Sequence, residues 1–287
     1  MRYVLFSRGT GGKRVGIRRG DRIYDVSETE VTTDGDLSPL AAVLSASSDA
    51  GAGHAQPSES FRADVPVYDR EEVSLRAPLA ADARIICLGG VYTNHLRERG
   101  VTLNRDPNQW VMPSTAVIGP DEPIRLPDRQ ESEVVPAVEL GVVVGAGGKY
   151  ISEEDAFDHV AGYTVVNDVT DRGEYPGPMG YKMLDTFSPC GPHVTTTDEV
   201  PDPLSLELTV KTDGETICRG STAGMHFTVS FLVSYLSTFM RLRPGDVLST
   251  GDPAGVEGVL EPGATVDLDI ESVGTLSNEV VRESDVE

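Results

Sequence analysis

Residues Val134 to Gly145 read VVPAVELGVVVG, and the reading of this stretch decides the fold. From Val138 onward it is an apolar run broken only by Glu139, rich in Val and ending at Gly145. A short β-branched run without polar alternation predicts a strand buried on both faces. Pro136 just before it restricts the local backbone. Glu139 is the only charged side chain in the stretch. A carboxylate there is costly to bury unless a cation, a metal or several donors meet it.

A second apolar strand, AGYTVVND, ends in Asn167 and Asp168. Two buried carboxylates that converge repel one another unless a divalent cation lies between them. Hard oxygen ligands suit Mg²⁺, Mn²⁺ or Ca²⁺. The alternative is that Glu139 and Asp168 each accept backbone or Arg hydrogen bonds, and spacing alone leaves both readings open.

The remaining pattern is mostly strands. Tyr3–Phe6 and Arg14–Val26 read as short strands, the latter with an RRGD turn at Arg18 to Asp21. Leu37–Leu44 reads as a short helix, followed by an exposed polar loop, SASSDAGAGHAQPSES. Stronger apolar runs begin near Pro78. This places a small N-terminal α+β domain over 1–75 and a larger domain over 76–287. In the larger domain ARIICLGG is a strand ending in glycines. Ser152 suits the N-cap of a short helix, with acidic residues in its first turn. Leu204, Leu206, Leu208 and Val210 alternate, and Asp213-Gly214 signals a hairpin turn. Ser221 to Met240 predicts a buried amphipathic helix, with Met225, Val229, Leu232, Leu236 and Met240 on one face. Val266, Leu268 and Ile270 alternate in a late strand. The chain has no GxGxxG motif, no P-loop and no regular βαβ rhythm.

Composition narrows the function. The chain of 287 residues carries 24 Lys and Arg against 46 Asp and Glu, a net charge of −22. Such a charge argues against nucleic acid as a partner. Only Lys13, Lys149, Lys182 and Lys211 are lysines. An acid-rich, Lys-poor surface suggests a salt-adapted, halophilic cytoplasm. Cys87, Cys190 and Cys218 match neither a zinc pattern nor a disulfide framework, so a reducing compartment is expected. The N-terminal MRYVLFSRG lacks a signal-peptide pattern, and no segment reads as a membrane span.

Three further sets of residues carry possible chemistry. His95 and Glu98 in NHLRERG are three apart, on one face of a helical turn. Such a pair can deprotonate water, the Glu orienting the imidazole. A solvated helix start is the plainer reading. Lys182 ends a Gly/Pro loop, GEYPGPMGYK, and suits a developing oxyanion. Arg172 lies four residues past Asp168 and suits a substrate carboxylate. For both, a surface salt bridge is the ordinary alternative. His54, His159, His193 and His226 show no metal spacing, and they, Trp110 and the cysteines read as structural.

Read in order, CLGGVYTNHLRERG, STAVIGPDEPIRLP, VELGVVVG, AGYTVVNDVTDR, KMLDTFSPCGP, LRPGDVLSTGDPAGV and VGTLSNEV resemble the fumarylacetoacetate hydrolase superfamily over roughly 80–282. The resemblance implies a β-rich α+β fold, a mixed β-roll or sandwich, with a small N-terminal domain and usually a homodimer. It implies an enzyme that cleaves C–C bonds in small 2-oxo acids with Mg²⁺ or a similar ion, as a hydrolase or a lyase. Acylpyruvates, fumarylpyruvate and oxaloacetate are the expected substrates. By the same resemblance Glu139 and Asp168 are metal ligands, and His95 and Glu98 activate water. Lys182 is catalytic, and Arg172, Asp185, Asp252 and Tyr92 contact substrate.

The chain departs from that pattern. Ala137 stands where the family has the first Glu of a Glu-x-Glu pair, two residues before Glu139 and hence on the same strand face. Glu131 and Glu133 are near in sequence. Asp252 replaces a Thr that usually helps hold a substrate carboxylate, and either supplies the missing metal-binding acid or shifts the substrate. Met112 and Val91 replace a Lys and an Asn. Two alternative functions follow: a 2-oxo-3-deoxy sugar-acid dehydratase, suggested by Pro136 and Gly141, and a catalytically silent binding protein of the same fold.

Overall fold

Every residue of Val138–Val144 is buried, as its apolar run predicts. The computed structural model describes residues 1–28, 39–48, 65–80, 83–93, 106–129, 132–175, 179–253 and 258–286. In chain order the strands begin with β1 (Arg2–Ser7), β2 (Arg14–Arg19), β3 (Arg22–Asp25), β4 (Val67–Asp69), β5 (Ser74–Arg76), β6 (Ile85–Gly89) and β7 (Asn108–Val111). Then come β8 (Val117–Ile118), β9 (Ile124–Leu126), β10 (Val134–Val135), β11 (Val138–Val144), β12 (Val160–Asn167), β13 (Thr170–Asp171) and β14 (Ser188–Thr196). The last are β15 (Glu207–Thr212), β16 (Glu215–Ser221), β17 (Val247–Ser249), β18 (Thr265–Ile270) and β19 (Gly274–Arg282). Helices α1 (Pro39–Ser48) and α2 (Val229–Phe239) pack with them.

Among the described residues three sheets form. The largest runs β4-β3-β2-β1-β14-β12-β11-β17-β6-β7, with β5 on β1 and β8 on β14. The second pairs β10 with β13, and the third runs β16-β15-β18-β19-β9. Pairing is mostly antiparallel, but β17·β6, β14·β8 and β19·β9 are parallel, so the architecture is mixed and β-rich. The N-terminal strands join the main sheet where β1 pairs β14, Arg2 opposite Thr195 and Tyr3 opposite Val194.

β11 explains why both its faces are apolar. Val138, Leu140, Val142 and Val144 point into a core shared with α2 and the third sheet. Val143 points the other way, into a core shared with β1, β2 and α1. Glu139 and Gly141 alternate with the first set and so share the face of Val143. The hairpin turn at Asp213-Gly214 has positive φ at both residues, 50° and 81°. That is the geometry the Asp-Gly pair predicts.

Two local expectations are corrected. Ser152 does not start an α-helix: its hydroxyl donates to Asp155 Oδ2 at 2.6 Å and accepts from Asp155 N at 3.2 Å, closing a turn before a 3-10 segment at Ala156–His159. α2 begins only at Val229, because Thr228 caps it by accepting from Phe231 N at 3.2 Å. Met225 therefore lies outside the helix, in a bridge with Tyr92.

Candidate functional site

The register assembles the site on one face of the main sheet. Glu139 lies opposite Val166, and Val166 opposite Cys190. The neighbouring row runs Gly141, Ser249, Cys87 and Trp110. Past the end of β12, Asp168 N donates to Ala137 O at 3.0 Å, placing Ala137 across from Asp168. Ala137 N donates to the Asn167 side-chain oxygen at 3.0 Å. Cross-strand neighbours on one face bring their Cβ atoms to about 5 Å. The position that lacks a carboxylate thus faces Asp168.

Glu139 is fully enclosed. Its Oε2 accepts from Ser249 Oγ at 2.5 Å and from Gly251 N at 2.9 Å. Gly251 has φ of +83°, and a Cβ there would stand 2.9 Å from Leu88 O, so glycine is what lets the backbone amide reach the carboxylate. Burial, then the charge of Asp168, push the Glu139 carboxyl well above the ordinary range, against Lys182, Ser249 and Gly251. Asp168 is 2% exposed. Its Oδ2 is paired with Lys182 Nζ, and its Oδ1 is buried with no hydrogen-bond partner among the described residues.

Lys182 also donates to Thr170 Oγ1 at 2.9 Å and lies 5.8 Å from the Trp110 ring centre. Burial opposes its charge, but Asp168 and Glu139 outweigh burial and hold its pKa above the ordinary lysine value. Lys182 is thus an ammonium at neutral pH. Tyr92 Oη and Thr250 Oγ1 are buried near Glu139 and neither makes a hydrogen bond of normal geometry. Burial raises the Tyr92 pKa, so the phenol stays protonated.

The structure thus brings Glu139, Asp168, Lys182 and Tyr92 together. Arg172 is exposed, its amide donating to Glu133 O at 2.9 Å. Asp185 is exposed, and Asp252 is half-buried directly after Gly251. His95, Glu98 and Glu131 lie outside the described residues. Glu133 is exposed, and Met112 and Val91 are buried in the cores. Trp110 and Cys87, read as structural from sequence, border the site. Burial, then Asp168 and Glu139, push the Cys87 thiol up, so it stays protonated. Both alternate along short strands, and only the register shows which face they take.

The donor set fits a hard divalent cation. Two buried carboxylates lie near one another, the Asp168 charge acting on Glu139, and Asp168 Oδ1 has no hydrogen-bond partner among the described residues. Among the described residues no group of three His, Cys, Asp or Glu gathers. Magnesium-like ions are commonly held by one or two carboxylates, the other positions filled by water and substrate oxygens.

The family model of the fumarylacetoacetate (FAA) hydrolase C-terminal domain matches residues 84–281. The chain belongs to the fumarylacetoacetate hydrolase family. Among this family's members, the mitochondrial oxaloacetate tautomerase FAHD2A of Bos taurus is 38% identical over 229 residues, 76% of this chain and 72% of the relative. The Homo sapiens FAHD2A oxaloacetate tautomerase is 36% identical over 234 residues, 77% and 74% of the two chains. The crystal structure of maleylpyruvate hydrolase from Sphingobium sp. SYK-6 in complex with manganese(II) and pyruvate matches with a TM-score of 0.81. It is 26% identical and covers 98% of this chain and 99% of that one. A 2-hydroxyhepta-2,4-diene-1,7-dioate isomerase from Mycobacterium marinum matches with a TM-score of 0.74 and 30% identity, over 99% of each chain.

Proposed function

We propose that this protein is an enzyme that interconverts the enol and keto forms of a small 2-oxo acid, with a divalent cation held by Glu139 and Asp168. The observation that carries the proposal is the Lys182 ammonium fixed between Asp168 and Thr170 beside the unpartnered Asp168 Oδ1. Oxaloacetate tautomerase relatives at 38% and 36% identity support the substrate class. A bound cation would polarise the 2-oxo group and favour its enol form.

The chain's own residues handle the proton and the orientation. In the reaction a proton leaves the carbon next to the carbonyl and a proton joins the carbonyl oxygen, so nothing else is consumed. Lys182 holds a proton beside the oxygen where enolate charge would collect, and its side chain is only 16% exposed, so that charge is weakly screened there. Tyr92 and Thr250 offer hydroxyls that have no hydrogen bond of normal geometry among the described residues. Arg172 supplies a guanidinium for the substrate carboxylate.

Hydrolysis of acylpyruvates is the second reading. It is favoured by the spacing of His95 and Glu98 and by the likeness to maleylpyruvate hydrolase. One experiment separates the two: keto–enol exchange of oxaloacetate followed by absorbance, beside pyruvate release from an acylpyruvate panel, each with Mn²⁺ and with EDTA. Exchange that is abolished by EDTA, lowered about 10²–10³-fold by Lys182→Ala and spared by His95→Ala is the expected result. Pyruvate release that depends on His95 would select hydrolysis instead. In the same series Ala137→Glu, which adds a carboxylate across from Asp168, should tighten Mn²⁺ binding by calorimetry at least about tenfold.

A further inference from the structure

Asp171 is fully buried three residues past Asp168, yet it has no part in the chemistry above. Its carboxylate accepts hydrogen bonds from three donors on two segments. Ser132 Oγ donates to Asp171 Oδ2, Tyr175 Oη donates to the same oxygen at 2.6 Å, and Gly173 N donates to Oδ1 at 2.8 Å. The last bond closes a turn with Arg172 at its apex. The backbone of Arg172 is tied on the other side, its amide donating to Glu133 O at 2.9 Å. The Asp171 amide donates to Tyr181 O at 2.9 Å, and the following residue, Lys182, closes its own turn by donating to Met179 O at 3.0 Å. Burial alone would raise the Asp171 carboxyl, but the bonds from Ser132, Tyr175 and Gly173 hold it below the ordinary range, so it remains an anion with its acceptors filled.

We propose that Asp171 is a positioning residue: it clamps the 132–135, 168–175 and 179–182 segments together, so that Arg172 and Lys182 are presented to one substrate. Backbone pairing alone gives these segments little hold, because β10 and β13 are only two residues long and supply few ladder bonds. A misplacement of about 1 Å costs a positioned catalyst on the order of 10²-fold. The inference rests on the proposed 2-oxo-acid activity for its kinetic arm, and on backbone protection alone for its second arm.

The test uses the full chain. Asp171→Ala should lower kcat/KM about 30-fold or more, whereas Asp171→Asn, which keeps an acceptor for Gly173 N, should stay within about 5-fold of wild type. In the cycle with Arg172→Ala, Asp171→Ala should cost clearly less than it costs the wild type, because part of its effect runs through Arg172. Fully multiplicative losses would overturn the proposal. Hydrogen exchange gives the independent reading. Asp171→Ala should speed exchange at Gly173 and at Lys182 while leaving the β11 amides protected, and unchanged exchange at Lys182 would overturn it whatever the activity. A wild type without turnover of any 2-oxo acid would count against the proposed function only. Should Asp171→Ala fail to fold, Ser132→Ala and Tyr175→Phe each remove one donor. Each is expected to lower kcat/KM about 3–10-fold with faster Lys182 exchange, and wild-type values in both would sink the clamp.

Discussion

A buried charge is tolerated only when its surroundings supply what water would have supplied, and two residues here obey that rule differently. Glu139 is met by Ser249, Gly251 N and the nearby Lys182 ammonium, which is why a carboxylate can sit in an otherwise apolar strand. His193 is met on one side only. Its Nε2 donates to Val273 O at 2.9 Å, while Nδ1 is buried without a partner. Burial lowers its pKa to about 4, against the partly compensating Val273 carbonyl. An unfolded histidine titrates near 6.5, so between these values the unfolded chain takes up the proton first. His193 therefore costs nothing above about pH 6.5, and stability falls as pH drops from there towards 4, by up to about 3 kcal/mol. Denaturant titrations at pH 7 and pH 4.5 check this. His193→Gln should show a clearly smaller acid loss than wild type, and equal losses would contradict the assignment.

Elements show where local signals hold and where neighbours override them. β11, β18 and the Asp213-Gly214 turn follow their sequence patterns, because periodicity and turn chemistry are local properties. α2 is shorter than its apolar spacing predicts, since Thr228 supplies a cap and Met225 is drawn to Tyr92. The Ser residues inside α2 are also put to use: Ser237 Oγ accepts from Ile151 N at 2.8 Å and donates to Ser234 O at 2.7 Å. Within β11 the glycine is as informative as the acid. A Cβ at Gly141 would lie 2.8 Å from Thr164 Cγ2 and 3.0 Å from both Val166 Cγ2 and Val247 Cγ1. Those neighbours are β-branched and held in a packed strand layer, so they yield poorly. Gly141→Ala should therefore destabilise by about 1–3 kcal/mol, read as a lower denaturant midpoint. It should also displace Glu139, so Mn²⁺ affinity should fall with stability.

At the scale of the whole molecule, a net charge of −22 repels itself. Described ion pairs such as Arg22–Asp69 and Arg8–Glu72 have well-exposed side chains, so they contribute little. Salt shortens the range of repulsion from about 10 Å at 0.1 M to about 3 Å at 1 M. The melting temperature should consequently rise between these salt concentrations, and a flat or falling Tm in calorimetry would remove the case for salt adaptation. The sequence by itself determined that β11 is buried on both faces, that Glu139 and Asp168 need partners, and, through an ordered set of segments, the family. Those follow from periodicity, from the cost of burying charge and from motif order, all of which are written along the chain. Only the tertiary structure decided that Ala137 faces Asp168, that Gly251 and Ser249 answer Glu139, and that Trp110 and Cys87 border the site. It also decided that Asp171, to which the sequence assigned no role, ties three segments together. These depend on strand register and on contacts between segments far apart in sequence, and a one-residue change of register would turn every one of those side chains to the opposite face.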